Sequence, residues 1–189
     1  HAEGNNASPD PLTLEELRIY WNCIKEMTGI EGATLRIHLL TGGLRPTQLA
    51  RLTADNVQLD AGEGAFTLIE EKGAKKGRPP EVRKYTTPIR SYLSQDFGHL
   101  LMRSRHNKRY LFSTDGGETK VYRSTPTDWA QAAVSNKIVN MNLSRVRSGI
   151  TNILSASGIV TDATSDKLQS HGGKKMVDKH YRTDPKFVS

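Results

Sequence analysis

"TGGLRPTQLARLTADNVQLD", residues 41–60, sets a glycine turn, a helix start and a strand start in one short run. Gly42-Gly43 ends the apolar helix predicted over 33–40. Pro46 stands where a first-turn proline belongs, because its missing N–H has no helical partner there, so a short helix is expected over 46–52. Val57–Leu59 then reads as a strand, and Asp60-Ala-Gly-Glu-Gly as the turn into a second, Ala65–Glu70. Arg45 lies at the junction of glycine turn and helix start, where a guanidinium and backbone amides converge on an anion.

Working toward the N-terminus, Thr13 with Glu16 three residues on forms a capping-box pattern. Leu14, Leu17, Trp21 and Ile24 follow on one helical face, joined by Tyr20 and Met27, with Gly29 as the expected stop. Residues 1–11 read as a polar tail. In the other direction, a basic loop from Lys72 to Pro80 leads to a third strand over 81–87. Helices are then expected over 89–105, 125–136 and 143–157, and shorter ones over 164–170 and 174–182. The expectation is a mainly α domain over 12–184 with a small three-stranded antiparallel sheet (α+β), followed by a tail over 185–189.

The bulk numbers bound the function. At 189 residues the chain suits one domain with a well-buried core. No apolar run approaches a membrane span, and no basic-then-apolar leader opens the sequence. Cys23 is the only cysteine, which removes a disulfide framework and any multi-cysteine metal site and points to a reducing, intracellular setting. A net charge of +7 suits a polyanionic partner, and its distribution sharpens that reading. Lys72, Lys75, Lys76, Arg78, Arg83 and Lys84 crowd one stretch against the single acid Glu81. Arg103, Arg105, Lys108 and Arg109 form a second cluster, and Lys174, Lys175, Lys179 and Arg182 a third.

Three further stretches carry chemistry. "EEKGAKKGRPPEVRKY", residues 70–85, is a hairpin whose lysines can reach a phosphate or donate a proton. "NLSRVRSGITNIL", residues 142–154, starts a helix with Arg145 and Arg147, against the helix dipole, a cost that a bound anion would offset. "LQSHGGKKMVDKHYRTD", residues 168–184, sets Tyr181 ten residues after His171, among lysines. A phenol with an ordinary pKa of about 10 attacks only where cations or a base activate it.

In this order the four stretches resemble the catalytic domain of tyrosine recombinases, the family of phage integrases and chromosome-dimer resolvases. Thr41-Gly-Gly-Leu-Arg-Pro-Thr-Gln-Leu-Ala-Arg-Leu is similar to the family's first box, which makes Arg45 the first catalytic arginine. The resemblance puts the family's hairpin lysine on Lys72, with Lys75 or Lys76 as alternatives. Its second arginine falls on Arg147, within Ser144-Arg-Val-Arg, its histidine on His171 and its nucleophile on Tyr181. Three departures stand out. Ser144 replaces the usual histidine or lysine, and a hydroxyl donates a hydrogen bond to phosphate but transfers no proton near neutral pH. Gln48 replaces a common glutamate. The interval from His171 to Tyr181 is one residue longer than the family's, which on a helix is a turn of about 100° for Gly172-Gly173 to absorb. His180, beside Tyr181, is a candidate helper for the role Ser144 leaves open.

The resemblance implies cutting and rejoining of double-stranded DNA at a specific recombination site through a 3′-phosphotyrosyl intermediate, with no metal, ATP or other cofactor. Arg45 and Arg147 would clamp the phosphate, Lys72 would protonate the leaving oxygen, and Ser144 and His171 would hydrogen-bond non-bridging oxygens. Lys75, Lys76, Arg78, Arg145, Lys174 and Lys175 would hold DNA phosphates. It also implies a homo-tetramer on two duplexes, an upstream core-binding domain not present in this sequence, and a cytoplasmic, nucleoid-associated protein of bacterial, phage or mobile-element origin. Alternative readings are a catalytically impaired DNA-binding relic or accessory protein of this fold, and a type IB topoisomerase-like enzyme.

Overall fold

The computed structural model describes residues 10–59, 65–70, 81–86, 90–103 and 110–158. Helix α1 spans Leu14–Ile24 and α2 spans Gly29–Leu40. Helix α3 spans Pro46–Arg51, and a single 3-10 turn at Ala54–Asn56 leads into strand β1, Val57–Leu59. Strands β2, Ala65–Glu70, and β3, Glu81–Thr86, follow. Helices α4, Arg90–Arg103, α5, Thr125–Val134, and α6, Leu143–Ala156, complete the described chain. The architecture is mainly helical with little strand.

The sheet runs in the order β1-β2-β3 with antiparallel pairing throughout. Val57 faces Leu68 and Leu59 faces Phe66, while Ala65 faces Thr86 and Glu70 faces Glu81. β2 therefore sits between its sequence neighbours, as hairpin connections favour. A bridge between Thr53 and Tyr110, with the Leu111 amide donating to the Leu52 carbonyl at 2.9 Å, ties the end of α3 to the segment after α4.

Helix α2 is the axis of the core. From Ile30 to Leu40, Glu31 is the one residue not buried, and the helix packs against α1, α4 and α5. This explains its nearly unbroken apolar sequence, since a helix enclosed all round shows no amphipathic stripe. α1 presents Leu17, Tyr20, Trp21 and Ile24, α4 presents Leu93, Phe97 and Leu100, and α6 presents Val146, Ile150 and Leu154. At its start, α1 is closed by the Thr13–Glu16 box, with the Glu16 amide donating to Thr13 Oγ1 at 3.1 Å and the Thr13 amide to Glu16 Oε1 at 3.2 Å.

One expectation is corrected here. Gly29 does not stop α1, which ends at Ile24 with Lys25 as its cap; it opens α2, at a φ of 76° that glycine adopts without strain. α2 is accordingly longer than its apolar run suggested. The helices expected over 164–170 and 174–182 lie outside the described residues, as do most of the two tails.

Candidate active site

The site is built on the end of α2. Thr41 Oγ1 donates to the Ile37 carbonyl at 2.6 Å and approaches the His38 carbonyl at 3.3 Å, so the buried hydroxyl caps the helix from within. The chain then reverses through two left-handed residues, Gly42 at φ 88° and Gly43 at φ 82°. Their amides donate to the Leu39 and His38 carbonyls at 3.2 and 2.8 Å, satisfying carbonyls a helix end leaves open. Leu44 plunges into the core, and Arg45 emerges exposed as the residue before α3. Its amide donates to Gln48 Oε1 at 3.3 Å, so the glutamine accepts the cap hydrogen bond as a glutamate would.

Helix α6 meets this turn. Asn142 caps it, its Oδ1 accepting from the Arg145 amide at 2.9 Å. Ser144 is exposed in the first turn. Arg147, half-buried, donates from Nη1 to the Gly43 carbonyl at 2.7 Å. The approach is close. A Cβ on Gly43 would lie 2.9 Å from Arg147 Cα and 3.0 Å from its Cβ. The structure thus brings the segments carrying Arg45 and Arg147 together through the second glycine of the turn.

Arg145 corrects the expectation that it contacts DNA. Only 9 % exposed, it donates from Nε to the Asp10 carbonyl at 2.7 Å and from Nη1 to the Val139 and Asn140 carbonyls. Its Nη2 lies 3.6 Å from Glu16 Oε2. Glu16 and three carbonyls, rather than a bound anion, offset the cost of this cation near a helix N-terminus. Two arginines two residues apart therefore do different work: Arg145 clasps the fold and Arg147 faces the turn.

Lys72, Lys75, Lys76, Arg78, His171, Lys174, Lys175, His180 and Tyr181 lie outside the described residues.

Three features escaped sequence reading. Arg36 on α2 forms a buried two-pronged pair with Asp96 on α4, at 2.9 and 2.8 Å, and donates to the Ile24 and Met27 carbonyls. Sixty positions separate the partners, so no local pattern announces them. Next to α3 a groove of about 650 Å³ is lined by Arg51, Lys120 and Arg123 together with Tyr110 and Tyr122. His38, one turn before the glycines, is 0 % exposed, and neither ring nitrogen has a hydrogen-bond partner among the described residues. Burial pushes its pKa down to about 3, and the Arg147 charge adds to the effect. The Leu44 backbone pulls the other way without reaching hydrogen-bond geometry. Among the described residues, no group of three or more His, Cys, Asp or Glu side chains gathers to hold a metal ion.

No protein-family model and no curated protein sequence matches the chain. Solved structures do. The XerH site-specific recombinase bound to its difH substrate, a pre-cleavage complex, superposes with a TM-score of 0.65 at 15% identity, over 87% of this chain and 47% of that one. A lambda integrase dimer bound to a COC′ core site gives 0.53 at 14% identity, over 89% and 62%. A lambda integrase tetramer bound to a Holliday junction gives 0.56 at 14% identity, over 90% and 49%. The chain spans about half to three-fifths of the length of these structures. It has the fold of the tyrosine recombinase catalytic domain.

Proposed function

We propose that this chain is the DNA-cleaving part of a site-specific tyrosine recombinase. The observation that carries the reading is the Arg147–Gly43 hydrogen bond, which seats one guanidinium against the turn from which the other, on Arg45, projects. A phosphodiester under attack develops extra negative charge on its non-bridging oxygens, and fixed planar guanidiniums stabilise it better than flexible ammoniums. In this reading the Tyr181 phenolic oxygen attacks phosphorus and its proton passes to solvent. The bond from phosphorus to the 5′ oxygen breaks, and that oxygen takes a proton from Lys72. The product is a 3′-phosphotyrosine and a 5′ hydroxyl. Attack by a 5′ hydroxyl of either strand reverses the step, because the ester bond is conserved. His171 holds a non-bridging oxygen, and Lys75, Lys76, Arg78, Lys174 and Lys175 hold flanking phosphates. A specific recombination site and a tetramer on paired duplexes belong to the same reading, supported by the likeness to DNA-bound recombinases, one of them a tetramer.

The test is incubation with a pool of nicked duplexes of randomised sequence, followed by a denaturing gel. A covalent protein–DNA adduct from the wild-type chain and none from Tyr181→Phe is the expected result. No adduct from wild type, or an adduct that survives Tyr181→Phe, defeats the reading.

The exposed Ser144 favours a second reading, a DNA-binding protein of this fold with impaired cleavage. Cleavage that rises in Ser144→His supports this alternative.

A further inference from the structure

We propose that the groove beside α3 holds an unpaired DNA strand, its cations seating phosphates and its tyrosines stacking on bases. The inference rests on the recombinase reading for why such a strand is present, and on the groove's own residues for what it binds.

The groove is a separate place from the arginine pair. Thr47, Ala50 and Arg51, neighbours on one face of α3, line it together with Tyr110 and the segment from Glu118 to Arg123, whereas Arg45 and Arg147 do not. The segment is held firmly. Val121 is buried, which pins the chain and leaves Lys120, Tyr122 and Arg123 on its exposed side. The Thr125 amide donates to the Tyr122 carbonyl at 3.0 Å, and the Tyr110 amide to the Gly117 carbonyl at 3.1 Å.

Arg51, Lys120 and Arg123 are all exposed, and none pairs with a carboxylate among the described residues. Glu118 is the one acid among the described lining residues, so positive charge prevails and the groove selects an anion. The tyrosines narrow the choice. Tyr122 is 83 % exposed, so its ring gives the core almost none of the burial for which a tyrosine is useful. A phenol ring gains little from a phosphate backbone and much from an open base face. In a duplex those faces are stacked on one another, and a protein meets only their edges. Unpaired nucleotides offer phosphate and open base face together, which suits the succession Lys120, Tyr122, Arg123. A volume of about 650 Å³ has room for a nucleotide or two.

The recombinase reading supplies the strand. Cleavage leaves a 5′ hydroxyl end that must quit its own duplex before attacking the other phosphotyrosine, and its bases are unpaired in transit. α3 runs from Pro46, next to Arg45, to Arg51, so the two arginines lie about 9 Å apart along its axis. The groove is therefore a short reach from the phosphate that Arg45 holds on that reading, and it keeps the freed end near between cleavage and rejoining.

The experiment measures fluorescence anisotropy of a labelled oligothymidylate of about eight nucleotides, and of a short blunt duplex, with wild type, Tyr122→Ala and Tyr122→Phe. Tyr122→Ala is expected to weaken oligothymidylate binding by on the order of tenfold and to leave duplex affinity unchanged, while Tyr122→Phe, which keeps the ring, binds as wild type. Oligothymidylate carrying 5-iododeoxyuridine should photocrosslink to Tyr122 or Tyr110. Absence of oligothymidylate binding by wild type, wild-type binding by Tyr122→Ala, or an equal loss for the duplex overturns the proposal. The last of these would mark the groove as a seat for duplex backbone. Binding is read without cleavage, so a wild-type chain that binds the oligothymidylate in this way but forms no adduct counts against the recombinase reading alone.

Discussion

Arg147 and Gly43, 104 positions apart in sequence, are joined by a 2.7 Å hydrogen bond, with no room between their backbones for a methyl group. Gly43→Ala meets two obstacles there, a left-handed φ of 82° and the Arg147 Cα 2.9 Å from the new Cβ. A stability loss of about 1–3 kcal/mol is expected from the backbone alone, read by urea unfolding. Adduct formation should fall further than stability explains, because Arg147 is displaced. Full cleavage by a folded Gly43→Ala chain would show that this contact does not set the arginine.

The neighbouring arginines separate cleanly by experiment. Arg145→Met leaves the Asp10, Val139 and Asn140 carbonyls and Glu16 without their charged donor, and should lower stability by about 1.5–3 kcal/mol. The salt dependence of DNA binding should stay as in wild type, since no phosphate contact is lost. Arg147→Met should do the reverse, lowering cleavage strongly with a smaller change in unfolding midpoint.

Arg36 and Asp96 form the buried pair that fastens α4 to α2. Asp96→Asn or Arg36→Met should each cost about 3–5 kcal/mol, the penalty of stranding the other charge. The double variant Arg36→Met/Asp96→Leu should recover much of that loss. A double variant as unstable as the sum of the singles would show that the pair's contacts, and not the stranded charge, dominate.

His38 predicts a pH dependence with a definite sign. The folded state holds the ring neutral down to about pH 3, while the unfolded chain takes up a proton near its ordinary pKa of 6.5. Between these values the unfolded state binds more protons, so stability rises with pH. The contribution is complete above about pH 6.5 and declines by about 1.4 kcal/mol per pH unit below it. Melting temperatures recorded from pH 7 to pH 5 should fall more steeply for wild type than for His38→Leu. Parallel curves would place the acid sensitivity elsewhere.

Asp115 offers an independent check on the wall of the basic groove. Its carboxylate accepts from Ser113 Oγ, Thr119 Oγ1 and the Glu118 and Thr119 amides, and these bonds hold its pKa well below the usual carboxylate range. The turn is therefore fully held above pH ~4 and loosens only as pH falls toward the depressed value. Asp115→Asn should speed hydrogen exchange at Glu118 and Thr119 at neutral pH. Unchanged exchange would mean that the remaining contacts suffice.

What the sequence made legible follows the range of the interactions involved. The Thr13–Glu16 cap could be read because both partners lie within one turn. α6 announced its stripe of Val146, Ile150 and Leu154 at helical spacing. The separation of Arg145 from Arg147 was not legible, because both begin the same helix. Which one turns inward is decided by Asp10, Glu16 and Val139, and no local pattern links these to α6. Arg36 read as part of an apolar helix until Asp96 came opposite it. His38 was hidden the same way: a polar residue inside an apolar run signals burial but not its neighbours. Gly29 misled because a glycine after an amphipathic run looks like a stop, and only its φ shows that it starts the next helix.

The clasp of Arg145 on Asp10 has a consequence for the order of folding. It bridges 135 positions, and the Leu12 amide is held by the Arg145 carbonyl at 3.0 Å. Contacts that close so long a loop carry a large entropic cost and form after local structure has collapsed. A chain emerging from the ribosome can build α1 and α2 early, yet the turn beneath Arg45 waits for α6 to arrive. On the recombinase reading, the pairing of Arg147 with the turn that carries Arg45 would then be among the last parts of the site to assemble. Pulse-labelled hydrogen exchange during refolding should find the Leu12 amide protected late, after those inside α2.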